Sequence, residues 1–406
     1  MKCPEIKTAL FFCFLIFSKF FFPFILINLL SLLFLFGCGP NVSQDSLRSL
    51  NQGEVVGIDS ENNTFAWKGI PFAQPPIGEL RWKAPLKAGS WRGRLRATEF
   101  KSGCFQRASL GSEEGISWSG SEDCLYLNIW SPKYSPSELG GLEKKLPVMM
   151  WIHGGGNAIG DAEVYDPSLL SSVHDVIVVT IQYRMGPLGW FRHPALTNTD
   201  SSKEGKSGNF GTLDTIMALR WIKENIESFG GDKHNVTVFG ESAGGHNTAA
   251  IFSSPLARGL FHKAIIQSGI VSHSSIKEAE SYLPKEGVAG TVSSKEIFSR
   301  ILISSKKAIT LVESKELQNS MTDNEIANLL RNTPPEDIFT AFKESSPKKS
   351  GMTRVFPDGY VIPEGGIYES FTNTEVKRVP VIFGTNKDEN KLFNALNPRF
   401  VKWEEA

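Results

Sequence analysis

Two hydrophobic patterns divide the chain. From Ala9 to Phe36 the residues are almost wholly apolar, broken by Ser18, Lys19, Pro23, Asn28 and Ser31, and Lys2 and Lys7 stand before or at the edge of the stretch. A short basic region ahead of an apolar run is the pattern of an export signal. The piece from Phe20 to Phe36 contains Pro23 and falls short of the roughly 20 residues that span a bilayer, so it predicts a leader, or at the limit an uncleaved anchor. Beyond it the pattern turns to short apolar runs between turns. Gly53 to Lys68 reads as a hairpin, Cys124 to Trp130 alternates as a strand does, and Leu146 to Ile152 is a short apolar run ending at glycines. Val176 to Gln182 is continuous and β-branched, as a strand covered on both faces should be. Thr212 to Phe229 carries Leu213, Ile216, Met217 and Trp221 at helical spacing. Further strands are predicted at Asn235 to Phe239, Ala264 to Gln267 and Val379 to Phe383. Strands alternating with helices predict an α/β domain. Lys277 to Lys349, rich in Lys, Glu and Ser with helical periodicity, is expected to pack outside the sheet as scaffold and pocket wall.

Composition narrows the classes. With 406 residues and 41% hydrophobic content the chain can bury a large core. Its 43 Lys+Arg balance 43 Asp+Glu, so it lacks the broad basic field that nucleic acid selects. The sequence is read as a leader over residues 1–37 and one domain over residues 38–406. Leu35-Phe36-Gly37-Cys38 resembles the lipobox of bacterial lipoproteins, which makes Cys38 a candidate for lipidation, although Phe36 stands where a small residue is usual. Cys104 and Cys124 are the two cysteines left in the body, and two cysteines in an exported chain suggest one disulfide. The expected location is the cell envelope or the exterior, with membrane contact only through the leader or a lipid.

The candidate chemistry concentrates at Gly240-Glu241-Ser242-Ala243-Gly244, which follows the strand ending at Phe239 and precedes a helix-like segment from Gly245 to Phe252. That is the context a G-x-S-x-G nucleophile elbow requires. A strand-to-helix turn this tight brings backbone against backbone, so glycines are needed for Ser242 to stand exposed. The following helix start directs N–H groups and a positive dipole end toward developing negative charge. His153-Gly154-Gly155-Gly156 follows another strand and matches the glycine loop whose amides complete an oxyanion hole with the residue after the serine.

The chain resembles the type-B carboxylesterases, the cholinesterase-like branch of the α/β-hydrolases. The resemblance rests on Gly69-Ile70-Pro71-Phe72-Ala73, Ser121 to Asn128, Tyr183-Arg184, Asn209-Phe210-Gly211, Phe229-Gly230-Gly231-Asp232, the elbow, and Gln267-Ser268-Gly269, in order along most of the mature chain. It implies an α/β-hydrolase fold, a mostly parallel twisted sheet with helices on both faces, and a serine esterase acting on small-molecule carboxylic esters through an acyl-Ser242 intermediate. It further implies Gly155, Gly156 and Ala243 as oxyanion donors, Glu389 in Gly384 to Glu389 as the acid that orients a histidine, and Cys104 with Cys124 as a disulfide pair. Asp388, one residue before Glu389, is the natural confusion.

One departure stands out. The order in this fold is serine, acid, histidine, yet all seven histidines, His153, His174, His193, His234, His246, His262 and His273, precede Glu389. The last strand and helix, with the family's histidine, are expected to be missing. The chain as written is therefore expected to be nearly inactive and to carry an unpaired sheet edge. The alternative is a hydrolase-fold binding or adhesion module without catalysis. Asn157 stands where relatives usually carry an aromatic, which predicts a more polar acyl-side wall. No metal-ligand spacing and no phosphate loop occur, so no metal and no cofactor are implied.

Overall fold

The computed structural model describes residues 41–108, 117–141, 143–282, 292–345, 353–372 and 379–395. The leader and Cys38 lie outside the described residues. An eight-stranded sheet runs through the domain. Its strands are β1 (Ile58–Ser60), β2 (Thr64–Pro71), β3 (Tyr126–Pro132), β4 (Leu146–Ile152), β5 (Ile177–Ile181), β6 (Gly231–Glu241), β7 (Lys263–Gln267) and β8 (Val381–Gly384). In space they follow the order β8-β7-β6-β4-β5-β3-β2-β1. The half from β8 to β5 is parallel, and β3, β2 and β1 add antiparallel strands at the other side. The expected α/β sheet is thus present, and each strand predicted from the pattern lies within a few residues of an observed one.

Parallel strands joined by helices need cover on their faces. The longer helices are α1 (Ser168–His174), α2 (Phe210–Asn225), α3 (Ala243–Ser253), α4 (Ser294–Ser304), α5 (Leu311–Ser320), α6 (Asp323–Asn332), α7 (Pro335–Glu344), α8 (Gly366–Thr372) and α9 (Glu389–Ala395). α3 packs on β6, β7 and β4, and α2 on β6, over a row of fully buried side chains that includes Met150, Ile152, Val236, Val238 and Ile266. α1 packs on β2, β3 and β5. The 292–345 stretch is helical, α4 to α7: α4 packs with α5 and α7, and α6 packs on the short helix Pro194–Thr199, outside the sheet, as its periodicity predicted.

On the opposite face of the parallel half, Trp151, Phe239 and Ile265 share one row with Ile382. The first three are half-buried and Ile382 is 65% exposed. β8 pairs only with β7 among the described residues. No helix of the described residues is long and apolar enough to cross a membrane.

Candidate active site

β6 ends at Glu241 and α3 begins at Ala243, leaving Ser242 alone at the bend. Its backbone stands at φ 56°, ψ −119°, a sparsely populated region that costs a side-chain-bearing residue on the order of 1–3 kcal/mol. Packing holds it there. The Ser242 amide donates to Gln267 O at 2.9 Å, and the His246 amide donates to Ser242 O at 2.9 Å. A Cβ on Gly240 would sit 2.5 Å from the Gly244 backbone, one on Gly244 would sit 1.9 Å from Ile152 O, and one on Gly245 would sit 2.6 Å from Gln267 O. These glycines therefore let β6, β4 and α3 meet. The Ser242 side chain makes no capping bond to its own helix, so the hydroxyl is left for something else.

The glycine loop after β4 lies against this bend: a Cβ on Gly154 would be 3.4 Å from Ser242 Cβ. Gly155 (φ 101°) and Gly156 (φ 67°) take conformations that favour glycine. Among the described residues neither amide finds a protein acceptor, and the Cβ side of Gly156 faces open space. Ala243 is the first residue of α3, whose leading N–H groups have no intrahelical acceptor. Three amides without a protein acceptor among the described residues thus lie on the two segments that meet at the serine, the kind of donor that a developing oxyanion needs.

Two strands over, Glu389 opens α9 after β8. Strands lie about 4.8 Å apart, which sets the elbow and this carboxylate on the order of 10 Å apart at one end of the sheet. Glu389 Oε1 accepts from Thr385 Oγ1 at 2.9 Å and from the Asn386 amide at 2.8 Å. Hydrogen bonds from Ser268, Asn386 and Thr385 hold its carboxyl below the usual range. Asp388 instead meets Lys391 Nζ at 3.1 Å. Glu241, beside the serine, is pushed up by partial burial and then by the Glu389 charge, so the two carboxylates share one field.

No imidazole ring is hydrogen-bonded to the Ser242 hydroxyl or the Glu389 carboxylate among the described residues. His153 is buried, stacks on Tyr183 and directs Nδ1 at Gly154 O, 2.9 Å away. His246 is buried with Nδ1 against Ile270 O, and burial takes its pKa down to about 4. His193 caps a helix through Nδ1.

Asn157 corrects the sequence expectation. Its side chain is fully buried, donating to Thr353 O at 3.1 Å and accepting from Asn247 Nδ2 at 2.9 Å, so it lines no acyl wall. Asn247, Tyr183 and Gln106 also tie the loop in place; Tyr183 belongs to one of the motifs, but Asn247 and Gln106 were not visible in them. Cys104 and Cys124 stand at disulfide geometry with Cα atoms 4.9 Å apart.

The family model described as "Carboxylesterase family" matches residues 44–405. The chain is 38% identical over 349 residues to the para-nitrobenzyl esterase of Bacillus subtilis, covering 84% of this chain and 62% of that protein. It is 36% identical over 355 residues to the fumonisin B1 esterase of Sphingopyxis macrogoltabida, covering 86% and 57%. Among solved structures, a Geobacillus stearothermophilus carboxylesterase superposes with a TM-score of 0.68 at 32% identity, covering 87% of this chain and 64% of that one. The chain thus spans 57% to 62% of the length of these two curated relatives.

Proposed function

The chain belongs to the carboxylesterase family, and on that premise we propose that it is built to cleave small-molecule carboxylic esters by acyl transfer to Ser242. The observation that supports this reading is the strained, uncapped Ser242, with the glycine loop packed against its bend and no protein acceptor for the amides of Gly155, Gly156 and Ala243 among the described residues. A surface kept only for binding has no physical use for a costly bend and an anion cradle at one point. In the proposed step Ser242 Oγ attacks the ester carbonyl, the three amides take up the charge on its oxygen, and the alkoxide leaves. Water then releases the acyl group from Ser242.

Glu389 is the proposed acid. Its distance from the elbow leaves room for an imidazole between the two, where the base would take the serine proton and return it to the leaving group. None of the seven histidines is engaged there. We therefore propose that the described chain turns over slowly, with loss of the base costing on the order of 10^6 and the amide cradle leaving roughly 10^3 to 10^4 over water. Export to an oxidising compartment is proposed with it, supported by the geometry of Cys104 and Cys124.

The test is single-turnover reaction with p-nitrophenyl acetate, followed by intact mass and peptide mapping. A slow acetyl adduct at Ser242, absent in Ser242→Ala, is expected. Nitrophenolate release at the same rate in both proteins, with no adduct, would leave the binding-module reading.

A further inference from the structure

The loop from His153 to Gly160 is tied down through its carbonyls. His153 O accepts from Tyr183 Oη at 2.7 Å, and Gly154 O faces His153 Nδ1 at 2.9 Å. Gly155 O accepts from the Ala158 and Ile159 amides at 3.1 and 3.0 Å. Gly160 O accepts from Gln106 Nε2 at 2.8 Å, while the Gly160 amide donates to Gln106 Oε1 at 2.6 Å. With these carbonyls bonded within the protein, the amides of Gly155 and Gly156 are left without a protein acceptor among the described residues.

Asn157 is the one side chain of this loop that bonds to the nucleophile's own helix. It directly follows Gly156 and stands at φ 55°, a left-handed conformation that asparagine tolerates better than most residues. Its backbone O accepts from the Gly186 amide at 2.6 Å. Its Nδ2 reaches Thr353 O, and its Oδ1 takes a hydrogen from Asn247, which lies on α3 five residues past Ser242. Both asparagines are buried, at 0% and 1% exposure. Asn247 Oδ1 has no partner among the described residues, and breaking the pair would orphan further buried groups at about 1–3 kcal/mol each.

We propose that Asn157, paired with Asn247, is a positioning residue of the oxyanion site: it clamps the glycine loop to the serine-bearing helix so that the Gly155 and Gly156 amides keep their aim at Ser242. The inference rests on the esterase reading above, and deepens it. A loop free to drift by an ångström loses transition-state contact, an error worth up to a hundredfold in rate, without changing how the rest of the ester is held.

The experiment compares the full chain with Asn157→Gly, which removes the side chain while leaving the positive φ unstrained, with Asn247→Ala, and with the double variant. Acylation by p-nitrophenyl acetate is measured across ester concentrations, and hydrogen exchange is followed in peptides holding Ala158, Ile159 and Gly186. Each single variant is expected to acylate Ser242 about ten- to a hundredfold more slowly at an unchanged half-saturating ester concentration. The double variant should fall no further than the slower single, because both break the same tie. Exchange at Ala158, Ile159 and Gly186 should quicken while β5 stays protected. Wild-type acylation rates in variants with native circular dichroism, or an effect confined to half-saturation, would overturn the proposal. Should the parent chain form no acyl-Ser242 at all, the esterase reading fails; exchange then judges the clamp alone, and unchanged protection at those three amides refutes it. If Asn157→Gly does not fold, Asn247→Ala carries the same two readouts.

Discussion

The serine and the acid sit at the same end of one sheet, yet they are held by different means. Around Ser242 three segments of backbone meet, and Cβ atoms on Gly240, Gly244 and Gly245 would strike main-chain atoms at 1.9 to 2.6 Å. Around Glu389 the contacts come from its own neighbours, Thr385 and Asn386, and from Ser268 just past the adjoining strand. A Cβ on Gly384, which ends β8, would meet nothing within 4 Å, and Phe383 before it is 50% exposed. The comparison teaches that the strained group is fixed by tertiary packing, which cannot relax locally. The carboxylate needs no strain, so a few local hydrogen bonds suffice for it.

The sharpest way to break this contrast is a pair of matched substitutions. Gly244→Ala drives a methyl into Ile152 O and is expected to cost more than about 4 kcal/mol, seen as loss of soluble, cooperatively melting protein. Gly384→Ala should stay within about 0.5 kcal/mol. Equal urea midpoints for the two would mean the elbow is looser than its geometry states.

Next in size is acid sensitivity centred on the packed side. Burial lowers His246 to about 4, His193 to about 3, and His153 below its ordinary value. Each folded pKa lies below the unfolded value of about 6.5, so the unfolded chain binds more protons as pH falls. Stability is fully present above about pH 6.5 and is lost toward the folded values, at about 1.4 kcal/mol per pH unit for each imidazole. Urea titrations at pH 7 and pH 5 should show the midpoint falling; a flat profile would contradict the burial of these rings.

Smaller effects belong to the open side. Ile382→Lys places charge on a residue already 65% exposed at the sheet edge, and is expected to change stability by no more than about 0.5 kcal/mol while reducing self-association in light scattering. Smallest is Glu389→Gln, which should lower the midpoint at pH 7 only slightly, because solvent screens the carboxylate. Because hydrogen bonds lower the Glu389 pKa, its contribution is present above the ordinary carboxylate value and fades only in stronger acid. A large loss at neutral pH would show that the acid region carries more of the fold than its contacts indicate.

Much of this was legible before any coordinates. Period-two and period-3.6 patterns marked the strands and the long α2 helix, because burial on one face or two leaves a repeat in the residues themselves. The elbow and the glycine loop were legible because glycine is demanded where backbones touch. Glu389, by contrast, was reached only through family resemblance, since a lone carboxylate carries no local signature. Asn157 was misread from sequence as pocket wall. Its partners Asn247 and Thr353 lie 90 and 196 positions away, and no local window contains that distance.

The residues alone therefore determined the alternation of strands and helices, the bend at Ser242 and the chemistry a serine beside bare amides can perform. Tertiary structure decided which polar groups are spent on holding the loop, which partners Asp388 and Glu389 take, and that one row of the sheet from Trp151 to Ile382 is only partly covered among the described residues. The physical reason is range. Backbone geometry and hydrophobic repeat act between near neighbours in sequence, whereas hydrogen-bond partners and face coverage are chosen only when distant segments compete for the same space.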